Sequence, residues 1–334
     1  MKIDAPLTQD LHKVATHARR LEDLGYDGGR LAELNHDPFL PLTIAAEHTQ
    51  RLELSTSVAV AFARNPMSMA VLAHDLNAFS GGRLLLGLGS QVKPHIERRF
   101  SMPWHKAAAQ MREFIQAMQA IFNCWYDGER LEFQGEYYQH NLMPATFTPE
   151  NIDGPRPRII LSATGPLMTR VAAETADGMI MHPFSSEKYM REVTLPAIQD
   201  GLGASGRTLQ DFSLDYAPML AAASTDEGLE RAITILRERI AFYGCTVAYK
   251  PVLDIHGWGD MQEELIRLNR AHRTDDMAAL ITDEMVHTIG IVGKPAEVVR
   301  TMQARFDGVI QRTSFAGADL SDEELQEMLF LLRE

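Results

Sequence analysis

Residues 52–90 read LELSTSVAVAFARNPMSMAVLAHDLNAFSGGRLLLGLGS and contain the signals of a strand, a helix and a second strand in turn. The first part, Leu52–Phe62, is rich in β-branched and small side chains and predicts a strand. A helix opened by Pro66 follows, two glycines interrupt the chain, and the apolar run RLLLGLGS predicts a further strand. The stretch is therefore one strand–helix–strand unit of an α/β fold.

The same alternation extends to both ends of the chain. Strands are predicted within residues 2–7, 28–34, 52–62, 84–86, 155–166, 177–183, 213–223 and 308–315. Helices are predicted over residues 10–24, 42–51, 66–79, 104–125, 167–175, 189–202, 226–243, 293–306 and 321–333. Eight strands alternating with helices predict one α/β domain over residues 1–334, a (β/α)8 TIM barrel with catalytic groups at the C-terminal ends of its strands.

Two segments interrupt the pattern and are predicted as insertions, near residues 127–157 and 244–290. The first contains LEFQGEYYQ, whose alternating polarity predicts a small surface hairpin. The second contains Pro251 and Gly257, which break any simple strand or helix, so irregular structure is expected there. Long irregular insertions in compact domains are often functional.

Composition and charge narrow the class of protein. Hydrophobic residues make up 45% of the chain, as in a globular enzyme, and no apolar run is long enough to span a bilayer. The 45 Asp and Glu side chains exceed the 32 Lys and Arg, so the net charge of -13 argues against nucleic acid as a partner. The two cysteines cannot form a disulfide framework, and the first residues, MKIDAPLTQDLHKVA, do not resemble a signal peptide, so we expect a cytoplasmic protein.

The segment Gly87-Leu88-Gly89 looks like the opening of the dinucleotide fingerprint GxGxxG. However, Val92 stands where the third glycine belongs, and the strand belongs to the fourth βα unit, not the first. A Rossmann fold is therefore not expected. Two interpretations of the glycines stay open: they let a flat ring or a phosphate approach the backbone, or they serve barrel packing alone.

A dense polar cluster, Glu33-Leu34-Asn35-His36-Asp37-Pro38, follows the second predicted strand. His36 can exchange a proton near neutral pH, and a neighbouring carboxylate, Glu33 or Asp37, could fix its tautomer. The alternative is that Asp37 caps the next helix and His36 is a solvated loop residue.

A second candidate site is SATGP, residues 162–166, where the fifth strand turns into a helix. The amides of Thr164 and Gly165 and the hydroxyls of Ser162 and Thr164 could hold a phosphate at the helix N-terminus. A tight turn that requires glycine is the alternative. No metal site is expected, because the sequence has no HExxH motif and its twelve histidines form no ligand-like pairs.

Five segments together resemble the bacterial luciferase-like superfamily, especially its coenzyme F420-dependent oxidoreductases. They are ELSTSVAVAFARNP (53–66), SGGRLLLGLGS (80–90), EFQGEYYQ (132–139), SATGP (162–166) and AAETADGMI (172–180). The resemblance extends over essentially the whole chain. It implies a (β/α)8 barrel that binds a flavin or deazaflavin non-covalently at its C-terminal end, often as a homodimer.

The resemblance also implies roles for individual residues. Ser57-Val58 matches a non-prolyl cis peptide that forms a bulge behind the deazaflavin ring. In the strand-two cluster, His36 is the first catalytic candidate and Glu33 the second. The implied cofactor contacts are Ser57, Val58, Arg64, Gly87, Gly89, Ser90, Ser162, Ala163, Thr164 and Gly165.

On the substrate side the implied residues are His256 and Trp258, in the inserted segment Tyr249–Asp260, and His182, at the end of the sixth predicted strand. A dimer contact or a packing loop is the alternative for that segment. F420 carries a phosphate and a polyglutamate tail, so an acidic protein needs local cations to bind it. The candidates follow strands three and four and are Arg64, Lys93, Arg98 and Arg99. For Arg98 and Arg99, ordinary surface charge is the alternative.

The resemblance leaves three functions open. The first is an oxidoreductase that transfers a hydride between F420 and a CH–OH or C=C group of a small organic substrate. The second is an FMN-dependent two-component monooxygenase that acts on paired donors and receives reduced flavin from a separate reductase. The third is a barrel that binds a flavin without turnover.

Overall fold

The computed structural model describes residues 1–150, 152–315 and 320–333. Its strands are β1 (Lys2–Pro6), β2 (Gly28–Leu31), β3 (Glu53–Thr56), β4 (Ala59–Val60), β5 (Leu84–Gly89), β6 (Phe133–Gln134), β7 (Gln139–His140), β8 (Arg158–Ala163), β9 (Gly178–Met181), β10 (Ser213–Tyr216), β11 (Met219–Ala222), β12 (Gly290–Gly293) and β13 (Arg312–Ser314). Its α-helices are α1 (Val14–Leu24), α2 (Phe39–His48), α3 (Pro66–Phe79), α4 (Lys93–Arg98), α5 (Ala107–Tyr126), α6 (Gly165–Thr175), α7 (Glu187–Tyr189), α8 (Leu195–Ala204), α9 (Asp226–Gly244), α10 (Lys250–Asp254), α11 (Met261–Arg270), α12 (Thr274–Ala279), α13 (Asp283–Ile289), α14 (Pro295–Phe306) and α15 (Asp322–Leu331).

Eight parallel strand positions, here called staves, close into a barrel. This confirms the predicted fold. Going around the barrel, the staves are β1, β2, β3 with β4, β5, β8, β9, β10 and β13. The barrel closes where β1 pairs with β13. The third stave is interrupted, because β3 and β4 each pair with β5 but two residues separate them.

The outer faces of the barrel strands pack against the surrounding helices and form the main core of the molecule. Fully buried apolar side chains from both layers meet there, among them Ile3, Leu42, Leu54, Met69 and Phe114. The barrel strands are buried on both faces, as in other parallel barrels. Their outward side chains therefore pack against the helices. This packing holds the strand ends, and with them the loops at the C-terminal end, in fixed relative positions.

The barrel interior has an apolar side and a charged side. Leu85, Ile160 and Ile180 form a small apolar cluster of their own beneath the C-terminal end. On the other side, Asp4 accepts hydrogen bonds from Arg30 and from Arg312, with Arg312 Nε 2.6 Å from Asp4 Oδ2. Arg30 also pairs with the buried Asp215, so two cations and two anions pair inside the barrel.

The structure differs from the sequence prediction at the seventh strand and in the longer insertion. Residues 213–223 do not form one strand: β10 belongs to the barrel, whereas β11 pairs with β12 in a separate two-stranded sheet. The prediction of irregular structure over 244–290 is wrong, because α10 to α13 occupy most of it. These short helices bury apolar side chains against α9 in a second core, so packing outweighs the local Pro and Gly signals.

The shorter insertion contains the predicted hairpin. β6 and β7 pair antiparallel, and Gly135 N lies 2.9 Å from Tyr138 O in the turn. Asn151, within this insertion, lies outside the described residues, as do residues 316–319 and Glu334 of the predicted domain. Among the described residues, no helix combines the length and the apolar character that crossing a membrane requires.

Candidate functional site

The C-terminal ends of the barrel strands bring most of the predicted site residues to one end of the molecule. Val58, half-buried, packs on the apolar cluster inside the barrel and forms its upper surface. The loops after β2, β5, β8 and β9 surround it because neighbouring parallel strands end at the same side. An apolar floor edged by polar loops suits a flat ligand with a polar or charged extension.

The expected cis peptide between Ser57 and Val58 is present. The cis peptide lies between β3 and β4, and the backbone there forms two hydrogen bonds with the end of β2 and the loop after it. Ser57 N donates to Leu31 O at 2.6 Å, and Glu33 N donates to Val58 O at 3.1 Å. These bonds connect the bulge to the loop that carries His36.

The two glycines of β5 are required by close packing against the bulged stave. A Cβ on Gly87 would lie 1.8 Å from the carbonyl oxygen of Thr56, and one on Gly89 would lie 2.6 Å from Val58 Cγ2. Barrel packing therefore accounts for both residues, and Gly89 also lets Val58 occupy the mouth. Ser90, half-buried, donates from Oγ to Gln91 O at 3.0 Å.

The strand-two cluster is organised around Arg64. Its guanidinium donates to Glu33 Oε2 at 2.6 Å and to Asp37 Oδ2 at 3.0 Å, and it lies over the ring of Phe39. Asp37 also accepts the backbone amide of Phe39 at 2.8 Å, as the capping interpretation expects. Both carboxylates thus bond to Arg64, and the described contacts include no bond from either of them to His36, whose side chain is exposed.

The turn after the fifth barrel strand leaves a helix N-terminus open. Gly165 has φ of 74°, and no side chain of Thr164 or any other described residue caps the first turn of α6. A Cβ on Gly165 would have no heavy atom within 4 Å, so the space in front of the turn is free. The unpaired first-turn amides and the helix dipole favour an anion at this position, beside the half-buried Ser162.

His182 lies directly after β9, next to the turn just described. Its Nδ1 accepts the backbone N–H of Phe184 at 3.1 Å, so the neutral ring carries its proton on Nε2. The ring stacks on Tyr249, with centroids 4.3 Å apart, and meets the edge of Tyr243 at 4.8 Å. Burial lowers the pKa of His182 to about 4, so the ring is a neutral hydrogen-bond donor near neutral pH.

The other two substrate-side candidates lie against the same loop. His256 Nε2 is 2.8 Å from Ser186 Oγ, and its ring stacks on Trp258 with centroids 4.6 Å apart. Burial first, and then the charge of Lys188, lowers the pKa of His256. The inserted segment thus packs on the loop after β9, through His256 on Ser186 and through Tyr249 on His182.

Ser185 and Tyr243 were not predicted from the sequence, and Tyr249 was predicted only as the first residue of the inserted segment on the substrate side. Ser185 is 2% exposed, and its hydroxyl has no hydrogen-bond partner among the described residues. Tyr243 and Tyr249 provide the aromatic surroundings of His182. The sequence signal for Ser185 was its position after a predicted strand, in HPFSS. Nothing local connects the tyrosines, more than 50 residues further along the chain, to that loop.

The remaining predicted cations follow β5. The guanidinium of Arg99 donates to Leu34 O in the strand-two loop, Lys93 lies 3.8 Å from Glu97, and Arg98 is exposed. Within residues 1–150, 152–315 and 320–333, no group of three or more His, Cys, Asp or Glu side chains is arranged to hold a metal ion.

The bulged third stave and the open helix N-terminus after the fifth strand belong to a parallel (β/α)8 barrel, a class of fold whose active sites lie at the C-terminal end. The particular family follows from the sequence: the profile of the luciferase-like monooxygenase family matches residues 2–312, and the chain belongs to this family.

Known relatives cover nearly the whole chain. An uncharacterized protein of Mycobacterium tuberculosis is 47% identical over 312 residues, which are 93% of this chain and 92% of that one. The 5,10-methylenetetrahydromethanopterin reductase of Archaeoglobus fulgidus is 28% identical, covering 90% and 88% of the two chains. The structure of the coenzyme F420-dependent tetrahydromethanopterin reductase from Methanopyrus kandleri superposes with a TM-score of 0.80 at 19% identity, over 98% of this chain and 96% of the other, and so shares the fold.

Proposed function

We propose that this protein is a coenzyme F420-dependent oxidoreductase that acts on a CH–OH or C=C group of a small organic substrate. The observation that carries the proposal is the arrangement at the barrel mouth. Val58 presents an apolar surface beside Gly89, and the open N-terminus of α6 lies beyond the neighbouring strand. The names of several relatives specify coenzyme F420 and support the same cofactor.

The residues present fit the chemical parts of F420. The apolar surface around Val58 suits the flat ring, and the first turn of α6, with Ser162, Ala163, Thr164 and Gly165, suits the phosphate. When bound, F420 supplies a donor or acceptor of hydride at C5 of its ring system. The barrel residues orient it and exclude water from its buried face.

His36 is the proposed proton donor or acceptor. Its exposed imidazole would give a proton to the substrate oxygen or carbon during reduction and take it back during oxidation. Glu33 and Arg64 bond to each other and to the backbone of β4, through Val60, so we assign them a positioning role beneath the ring. This assignment replaces Glu33 as the second acid/base candidate.

The substrate would bind between the mouth of the barrel and the inserted segment. His182, with a neutral Nε2–H, is suited to donate to a substrate or cofactor oxygen, and His256 and Trp258 form an aromatic wall. An aromatic wall with few polar groups suits a small organic molecule better than a polyanion.

Binding and turnover together test the proposal. The purified protein is titrated with F420 and FMN, each oxidised and reduced, at matched salt concentration, and turnover is then followed without oxygen. We expect tight binding of F420 and weak binding of FMN. Preference for reduced FMN with oxygen uptake would indicate the two-component monooxygenase and a reductase partner, and stoichiometric binding without turnover would indicate a carrier.

We also propose a homodimer, formed through α2 and α3. Both helices carry apolar side chains outward as well as inward, with Leu40 61%, Phe79 54% and Val71 39% exposed. Apolar side chains exposed on two neighbouring helices are typical of protein–protein contacts. Sedimentation of the wild type and of Leu40→Glu tests it: a dimer that Leu40→Glu dissociates supports this face, and a wild-type monomer contradicts it.

A further inference from the structure

Gln91 has a backbone conformation that is unusual for a residue other than glycine. Its φ is 59°, in the left-handed region, and it stands just beyond the end of β5, at the mouth of the barrel. Among the described residues, nine glycines have positive φ, and the other positions are Gln91, Ser101 and His272. A side chain in this region costs free energy that glycine avoids, and such strain is concentrated at functional sites. The side chain of Gln91 therefore needs an explanation other than the turn, which glycine would form more easily.

The carboxamide of Gln91 presents two unused N–H donors. Its Oε1 accepts the backbone amide of Val92 at 3.0 Å, and a backbone N–H can only donate, so the atom facing Val92 is the oxygen. Nε2 then lies on the opposite edge of the group and has no acceptor among the described contacts. Because Gln91 is half-buried and its Oε1 is held, the Nε2–H groups are kept in place without a partner from the described part of the chain.

Gln91 and His36 follow the two staves that flank the bulge. β2, which precedes His36, and β5, which precedes Gln91, both pair with the third stave. Gly89, which ends β5 just before this turn, is the residue whose added Cβ would lie 2.6 Å from Val58 Cγ2. The guanidinium of Arg99, directly after α4, donates to a carbonyl in the loop that carries His36, so the segment after Gln91 also contacts that loop. A ligand on the surface of Val58 therefore has His36 on one side and Gln91 on the other.

We propose that Gln91 binds the substrate, and that its Nε2–H donates to an oxygen on the carbon that exchanges hydride. The inference rests on the proposed function and deepens it, because an N–H donor suits a carbonyl or hydroxyl oxygen but finds no acceptor on a C=C group. The substrate class is therefore a ketone or aldehyde paired with its alcohol. In the reduction, the carbonyl carbon gains a hydride from reduced F420, which is left oxidised, and the oxygen takes a proton from His36, which regains one from solvent. An N–H placed at this oxygen stabilises the negative charge that develops there.

Gln91→Glu tests the donor with little change of shape. The variant keeps the length of the side chain and an oxygen for the amide of Val92, but it replaces the N–H donors by an acceptor. Turnover is measured on the full-length protein without oxygen, with cyclohexanone and reduced F420 as probes. The variant should lower kcat/KM by about a hundredfold, as expected when a donor to a developing oxyanion is removed. The Kd for F420 should stay that of the wild type, because the ring is proposed to rest on Val58.

Gln91→Gly separates function from folding, because its two expected effects have opposite signs. Glycine relieves the left-handed strain, and the exposed Val92 can bond its amide to water, so the melting temperature should rise by about 1–3 °C. The same variant loses the donor, so kcat/KM should fall about as far as in Gln91→Glu. His272→Gly is the control: it relieves a φ of 56° in the turn after α11 and should gain stability with wild-type turnover.

The outcomes distinguish this inference from the proposed function. Reduction of cyclohexanone at the wild-type rate by Gln91→Glu or Gln91→Gly would overturn the inference, and loss of both turnover and stability in Gln91→Gly would assign the side chain to the turn instead. A wild type that binds F420 tightly but reduces neither cyclohexanone nor acetone nor butanal would also overturn it, and the proposed function would then stand with a C=C substrate. A wild type that does not bind F420 would contradict the proposed function itself and the inference with it.

Discussion

The carboxylate of Glu33 accepts both the guanidinium of Arg64 at 2.6 Å and the backbone amide of Val60 at 2.8 Å. These bonds cross from the loop after β2 to the stave interrupted by the Ser57-Val58 bulge. The side chain of Glu33 is only 9% exposed, so its charge depends on Arg64 for compensation. The pair therefore connects the loop that carries His36 to the apolar surface proposed for the cofactor ring.

Replacing either partner of this ion pair should destabilise the folded protein. Glu33→Gln and Arg64→Gln should each lower the free energy of unfolding by about 1–3 kcal/mol, because each leaves a partly buried group unpaired. Urea denaturation measures the loss. Lys93→Gln is the control, since its pair with Glu97 is long and exposed, and it should change stability by less than about 0.5 kcal/mol.

The same two variants distinguish positioning from cofactor contact. If Arg64 only positions the bulge, Glu33→Gln and Arg64→Gln should weaken F420 binding to the same extent. A loss of affinity confined to Arg64→Gln would mean that this guanidinium binds the cofactor directly, as the sequence resemblance implies.

Replacement of His36 should separate proton transfer from cofactor binding. His36→Ala should lower kcat by about a hundredfold or more, because general acid–base groups contribute at least that much, and should leave the Kd for F420 within about twofold. His48→Ala, which changes a histidine bonded to Ile44 O within α2, is the control and should keep wild-type turnover. Unchanged turnover of His36→Ala would exclude the assignment.

The low pKa of His182 predicts how stability depends on pH. The pKa is about 4 in the folded protein, below the ordinary value of 6.5, so between these two values the unfolded chain binds more protons. Stability from this residue is therefore fully present above pH 6.5 and is lost as the pH falls toward 4.

The variant His182→Phe isolates this contribution. Between pH 7 and pH 4.5 the wild type should lose about 1–2 kcal/mol more than His182→Phe, measured by urea denaturation at each pH. An exposed histidine provides the control: His12→Gln should follow the wild type. Parallel pH profiles for wild type and His182→Phe would show that His182 is protonated equally in both states.

The barrel could be predicted from the sequence, because the alternation of strands and helices and the positions of glycines are local signals. The side-chain contacts inside the barrel could not be predicted. Asp4, Arg30, Asp215 and Arg312 stand at alternating positions of their strands, which the sequence alone assigns equally well to the solvent face. Only closure of the barrel shows that they face one another and pair. A period of two identifies the residues that share a face, but not what that face contacts.

The site was predicted in part for a related reason. The turn at 162–165 and the cluster at 33–38 follow predicted strands, so the barrel rule places them at one end. The pairing of Glu33 with Arg64, and the approach of Tyr249 to His182, join segments far apart in the chain and depend on side-chain packing. The short helices of 244–290 are also stabilised by contacts with α9, which no local pattern reveals.

Replacement of Gly87 tests whether close packing against the bulged stave requires glycine in β5. In Gly87→Ala the new Cβ would lie 1.8 Å from the carbonyl oxygen of Thr56, which is backbone and also accepts a hydrogen bond from Ser55 Oγ. The strands must separate there, so we expect a loss of about 2–4 kcal/mol in the free energy of unfolding. Because the displaced backbone carries the bulge, F420 binding should weaken as well.

A glycine in open space provides the matched control for that substitution. Gly203 lies in α8, is exposed and would place no heavy atom within 4 Å of a new Cβ, so Gly203→Ala should raise the free energy of unfolding by about 0.5–1 kcal/mol. Opposite signs for these two Gly→Ala changes would assign the Gly87 effect to close packing. A Gly87→Ala protein as stable as the wild type would mean that the bulge can move away from β5, and the glycine would then be explained by ligand approach.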